Sequence, residues 1–177
     1  MAHRHALHRL NAGSLLLTIS IPAFVVPAQA QWVQQSFTPF GHALGVHILD
    51  DQHALASGAP GVIYETLDAG SNWTEVVVPP PLGPLMSFDS LGGVYMIDPD
   101  TWIVSGYSTF EIAEIIIRTT DAGVQWDMVH LGPDFTGCYD MTFVSATTGL
   151  AVGKAGRILR TTDAGATWAA VVTPTAA

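Results

Sequence analysis

The residues of this chain best placed to do chemistry are carboxylates that recur at a fixed spacing. Thr66, Asp68, Gly70 and Trp73 stand in the order T-x-D-x-G-x-x-W, which returns at Thr119, Asp121, Gly123 and Trp126 and again at Thr161, Asp163, Gly165 and Trp168. A repeated acid could transfer protons or hold a cation. Its neighbours point to a turn instead. Short Thr and Asp side chains bond the backbone of a tight turn, and glycine supplies the positive φ such a turn needs. The tryptophan then returns on the next strand as a large apolar anchor. Asp68, Asp121 and Asp163 are accordingly expected to hold turns, and Trp73, Trp126 and Trp168 to pack between repeats.

Other reactive side chains form no convincing constellation. His42, His47 and His53 are five and six residues apart, which matches no zinc-ligand spacing. Cys138 is the only cysteine and precedes the apolar alternation Tyr139, Met141, Phe143, so a buried, inert thiol is expected. Nothing in the pattern calls for a metal or a cofactor.

The chain has 177 residues, and its start reads as a targeting segment. Arg4 and Arg9 lie in a basic stretch, Ser14 to Val26 is apolar, and Ala28-Gln29-Ala30 is a small-residue cleavage site. This is the layout of a secretory signal peptide over residues 1–30, with a periplasmic or extracellular destination and no membrane span after cleavage. Residues 31–177 hold all fifteen acids against Arg118, Lys154, Arg157 and Arg160, a balance of −11 with histidine neutral. Such a charge argues against nucleic acid or an anionic membrane as partner.

The elements that must carry the repeated turns are short strands. Val46 to Leu49, Ala54 to Gly58 and Gly61 to Thr66 lead into the first motif. Val94 to Ile97, Trp102 to Gly106 and Ile115 to Thr119 lead into the second; Met141 to Val144, Leu150 to Gly153 and Gly156 to Arg160 lead into the third. Each motif tryptophan opens a fourth strand. Repeated sets of four strands predict an all-β fold, a β-propeller of four-stranded antiparallel blades. The blades are expected over residues 43–78, 92–131 and 138–174, after an opening strand at 31–37. Three blades fall below the usual minimum of about four. The chain is therefore expected to be the N-terminal part of a larger propeller, with closure of a ring between chains as the alternative.

Register also locates the insertions. Gly58 precedes Thr66 by eight residues and Gly153 precedes Thr161 by eight, but Gly106 precedes Thr119 by thirteen. Five extra residues thus fall between Tyr107 and Glu114, and a proline-rich connection runs from Pro79 to Pro84. Insertions in repeat folds map to loops, often on a binding face. Pro79, Pro84, Tyr107, Phe110, Glu111 and Glu114 are the candidate binding-loop residues on that argument.

The motif resembles the Asp-box, or bacterial neuraminidase repeat, of sialidases, sortilin-type receptors and xyloglucanase-type glycoside hydrolases. The run from Gly149 to Trp168 is most similar to repeats of the photosystem II stability and assembly factor family. The resemblance implies that the Asp-box is a structural hairpin away from the ligand face. It also implies three readings of function. The first is an exported module binding a protein or a glycan, not itself catalytic. The second is a fragment of a secreted Asp-box glycoside hydrolase, which needs two carboxylates across a cleft; Asp89, Asp98, Asp100 and Asp140 are available, though a solvated turn explains each. The third is a photosystem II assembly or stability factor. A sialidase is disfavoured, because its arginine clamp is not supplied by the three arginines of residues 31–177, two of which occupy the same repeat position.

Overall fold

A computed structural model describes residues 41–82, 90–134 and 136–172. The expected opening strand, the proposed signal segment and residues 173–174 of the last repeat lie outside these. The first sheet holds β1 (His42–Ile48), β2 (Ala54–Ala59), β3 (Val62–Thr66) and β4 (Thr74–Glu75). The second holds β5 (Ser90–Met96), β6 (Trp102–Ser108), β7 (Ala113–Thr119) and β8 (Asp127–Asp134). The third holds β9 (Cys138–Phe143), β10 (Gly149–Gly153), β11 (Ile158–Thr161) and β12 (Ala169–Ala170). Each is an antiparallel meander of consecutive strands, so the blades predicted from the repeat are present and the fold is all-β.

Packing explains why the second blade reads as unbroken apolar runs. Its strands β6 and β7 are buried on both faces. Val94, Met96, Trp102, Val104, Ile115 and Ile117 point to the first blade and share a core with Leu55 and Ile63. Ile103 and Ile116 point the other way, into a core with Met141, Phe143, Ala151 and Leu159 of the third blade. Each such isoleucine contributes on the order of 1.5–3 kcal/mol by leaving water. Alternation of inward and outward residues survives in the third blade, as in β9 and β10.

The first strands of the three blades stand side by side. The His47 ring lies 4.0 Å from Tyr95, which lies 4.7 Å from Phe143. Glycine permits this approach. A Cβ on Gly45 would sit 2.1 Å from the Gly92 carbonyl oxygen, and one on Gly92 would sit 2.7 Å from that of Tyr139.

The two insertions are built differently from expectation. Between Gly106 and Thr119 the extra residues extend the β6–β7 ladder, pairing Tyr107 with Glu114 and Ser108 with Ala113. Only Thr109-Phe110-Glu111-Ile112 is left as turn, with Ser108 Oγ accepting from the Glu111 N–H at 3.1 Å. Extending the ladder satisfies backbone groups that a free loop would leave to water. Glu114 is thus a strand residue, fully buried, and not the loop residue expected. In the proline-rich connection, Val78 and Leu82 fold into the core beside Trp102. Pro79 is half-buried, and Pro84 lies outside the described residues.

Candidate functional site

The three Asp-boxes share one hydrogen-bonded geometry. In the first, Thr66 Oγ1 donates to Asp68 Oδ1 at 2.9 Å and accepts from the Gly70 N–H at 2.9 Å, while the Asn72 N–H donates to Asp68 Oδ1 at 2.8 Å. The second repeats this with Thr119, Asp121, Gly123 and Gln125, and the third with Thr161, Asp163, Gly165 and Thr167. Ala69, Ala122 and Ala164 take φ of 58°, 53° and 58°, with the following glycines also left-handed. The indole N–H of Trp126 donates to the Gly123 carbonyl at 3.0 Å, and that of Trp168 to Gly165 at 3.1 Å. Every Asp-box acid is therefore committed to its own turn. The bonds to Asn72, to Gln125 and to Thr167 hold Asp68, Asp121 and Asp163 below the usual aspartate range, Asp163 at about 2.

Strand register places these turns far from a cleft at the opposite end of the blades. Thr119 pairs with Trp102 at one end of the second blade, while Tyr107 pairs with Ser90 and Glu114 at the other. At that other end lies a cavity of about 520 Å³. Its wall includes Leu44 of β1, Ser90 and Gly92 of β5, Tyr107 of β6, Tyr139 of β9 and Lys154. Lys154 opens a 3-10 turn, Lys154–Gly156, and its backbone N–H donates to the Gly137 carbonyl at 2.8 Å. Tyr139 and Lys154 are exposed, and Tyr107 is half-buried. The cleft thus offers two phenol rings, an aliphatic side chain, an ammonium and glycine backbone. Phe110 and Glu111 occupy the neighbouring hairpin tip, with Phe110 exposed.

Beneath this end runs a polar bridge between the second and third blades. The Arg157 guanidinium donates from Nε to Glu114 Oε1 at 3.1 Å and also from Nη2. His130 Nε2 lies 3.0 Å from the same oxygen. Burial pushes the Glu114 carboxyl up, but the bonds and charges of Arg157 and His130 outweigh it and hold the group below its usual value. The bridge is a structural clamp, not a proton donor poised over the cleft.

The remaining sequence candidates do not converge. Asp98 Oδ1 caps its own turn, accepting from the Asp100 and Thr101 N–H groups at 2.9 and 2.7 Å, at the end opposite the cleft. Asp140 Oδ1 accepts from the Met141 N–H at 2.8 Å. Asp89 lies outside the described residues. His47 Nδ1 accepts from the Met96 N–H at 3.2 Å, and His53 Nε2 bonds Glu65 at 2.8 Å. Cys138 is buried, which pushes its thiol up to about 11. Among the described residues no group of three or more His, Cys, Asp or Glu side chains is arranged to hold a metal ion, and no helix is long and apolar enough to cross a membrane. Leu44, Tyr139 and Lys154 were not singled out from the sequence; only Tyr107, through its insertion, pointed here.

Comparison with curated proteins finds no match. Among solved structures, the fold is shared with YCF48 bound to D1 peptide, at 20% identity and a TM-score of 0.59 over 75% of this chain and 41% of that one. It is shared too with YCF48 from Cyanidioschyzon merolae, at 20% identity and a TM-score of 0.64 over 82% and 44%. The chain therefore spans less than half the length of either propeller. A family model described as Photosynthesis system II assembly factor YCF48 matches residues 25–177, and the chain belongs to that family.

Proposed function

We propose that this chain is an exported, non-catalytic binding module that receives an extended peptide segment in the cleft at the start of its inner strands. The observation that carries the reading is the wall of that cleft. Tyr107 and Tyr139 offer rigid amphipathic surface, Leu44 an apolar contact, and Lys154 a single ammonium for a carboxylate or a peptide carbonyl. The half-buried Gly92 in that wall has no side chain to hold off a peptide main chain. The similar propeller that holds D1 peptide supports a peptide as ligand over a glycan. A glycoside hydrolase fragment is less well supported, because Asp98 and Asp100 turn away from the cleft and Asp140 bonds its neighbour's N–H. Family membership makes photosystem assembly the natural setting, and growth of a phototrophic host lacking the gene would test it. Export rests on the layout of residues 1–30; mature protein beginning at Gln31 would support it, and an intact Met1 would refute it.

The direct test is calorimetric titration of the chain with the D1 peptide and, separately, with a neutral xyloglucan oligosaccharide. Saturable peptide binding is expected, weakened at least tenfold by Lys154→Ala or Tyr139→Ala, since a charge-assisted hydrogen bond is worth about 1.5–3 kcal/mol. Binding of the oligosaccharide alone, or peptide binding indifferent to both substitutions, would overturn the assignment.

A further inference from the structure

In each blade the first strand holds one residue more than the second strand pairs with. In the first blade Ala43 pairs with Gly58 and Gly45 with Ser57, so Leu44 falls between two rungs of the ladder. In the second, Leu91 pairs with Gly106 and Gly93 with Ser105, and Gly92 falls between. In the third, Cys138 pairs with Gly153 and Asp140 with Val152, and Tyr139 falls between. Three β-bulges thus stand at equivalent places, one in each blade. Their cause lies in the repeat itself. A Cβ on Gly58, Gly106 or Gly153 would lie 1.9, 2.1 or 2.1 Å from the carbonyl oxygen of His42, Ser90 or Gly137, respectively. Only glycine in the second strand lets the first bend in so closely, and the bend takes up the extra residue.

A bulge re-aims the side chain it carries, and all three bulge residues line the cleft. Their backbones meet from blade to blade, Gly45 against Gly92 and Gly92 against Tyr139. The frame is therefore constant while the side chain it presents changes, from leucine to none to a phenol. Leu44 and Tyr139 are 53% and 57% exposed, one on either side of a glycine that adds no side chain. Two apolar flanks over a bare floor form a slot for a single side chain. Charge agrees with an uncharged occupant whose neighbours are acidic or neutral. Among the described residues the cleft wall carries one ammonium, Lys154, and no carboxylate.

We propose that the bulge position is where these blades read their ligand: Leu44 and Tyr139 grip one apolar side chain of a bound peptide over the floor at Gly92. The inference rests on the peptide reading of the cleft given above and adds which part of the peptide is selected. Lys154 meets polar atoms of the same ligand, so it contributes affinity without choosing the residue in the slot. Leu44 and Tyr139 are the specificity-determining residues.

Calorimetric titration tests this with the D1 peptide and a set in which each of its apolar residues is replaced in turn by alanine. One replacement should weaken binding to the native chain about tenfold or more, the scale of burying a single large apolar side chain. Against Leu44→Ala and against Tyr139→Ala, each verified as folded by circular dichroism, that same replacement should weaken binding less than about threefold. The slot it filled is then already open, and effects of groups in contact do not add. Against Lys154→Ala, which leaves the slot intact, the full loss should persist. A loss spread over several peptide residues overturns the inference and leaves the peptide reading standing. So does a loss that persists in full in both slot variants, or one that vanishes in Lys154→Ala. Failure of the native chain to bind the D1 peptide at all overturns both.

Discussion

Thr161 and Asp163 show how a nine-residue stretch closes on itself. The Asp163 carboxylate accepts from the Thr161 hydroxyl, the Thr167 hydroxyl and the Thr167 N–H, and the Thr161 oxygen accepts in turn from the buried Gly165 N–H. The bonds to Asp163 require the ionised acid, which explains why its carboxyl is held at about 2, first by Thr167 and then by Thr161. Asp68 and Asp121 are lowered in the same direction by the same kinds of bond. An unfolded aspartate titrates near ~3.9. The unfolded chain therefore binds more protons between that value and about 2, so stability falls as pH falls. The three boxes contribute fully above about pH 5, lose their contribution progressively below about pH 4, and have lost it once pH drops below about 2. Urea midpoints measured from pH 7 to pH 2 should be flat at first and then decline. Asp163→Asn should start lower and decline less steeply. An identical slope in that variant would show that the acid dependence arises elsewhere.

At the scale of elements, the β6–β7 hairpin shows what local sequence could and could not disclose. The Asp-boxes were legible because every bond that defines them lies within four residues along the chain. The blade strands were legible because their turn spacing repeats. Glu114 was misplaced because the residue that explains its burial, Arg157, is 43 positions away in the next blade. The cleft was hidden for the same reason, since Leu44, Tyr107, Tyr139 and Lys154 come from three blades and form no motif along the chain. The hairpin's length and the ion bridge belong together: the added ladder pair at Tyr107 and Glu114 carries the carboxylate to Arg157 and His130. A Cβ on Gly132 would lie 2.1 Å from Glu114 Cγ, so β8 yields space for that side chain. Glu114→Gln should destabilise the chain by about 2 kcal/mol. That is below the ~3–5 kcal/mol typical of breaking a fully buried pair, because the Arg157 side chain is 25% exposed. The urea midpoint should shift with an unchanged m-value; a shift under about 0.5 kcal/mol would mean that solvent replaces the bridge.

For the whole molecule, the second blade is the joint on which the others depend. A propeller blade is a sheet apolar on both faces, and the second blade packs its two faces against the first and third blades. Ile103 is fully buried at the second of these joints, in one core with Met141, Phe143, Ala151 and Leu159 and against the Asp-box at Gly165. Truncating it removes apolar surface from both blades at once and leaves a cavity between them, so Ile103→Ala should cost about 2–5 kcal/mol. The urea midpoint should fall with an unchanged m-value if the blades unfold as one unit. A split into two transitions would instead show that the third blade can open while the first two remain folded, and a shift under about 0.5 kcal/mol would mean that the joint contributes little to stability.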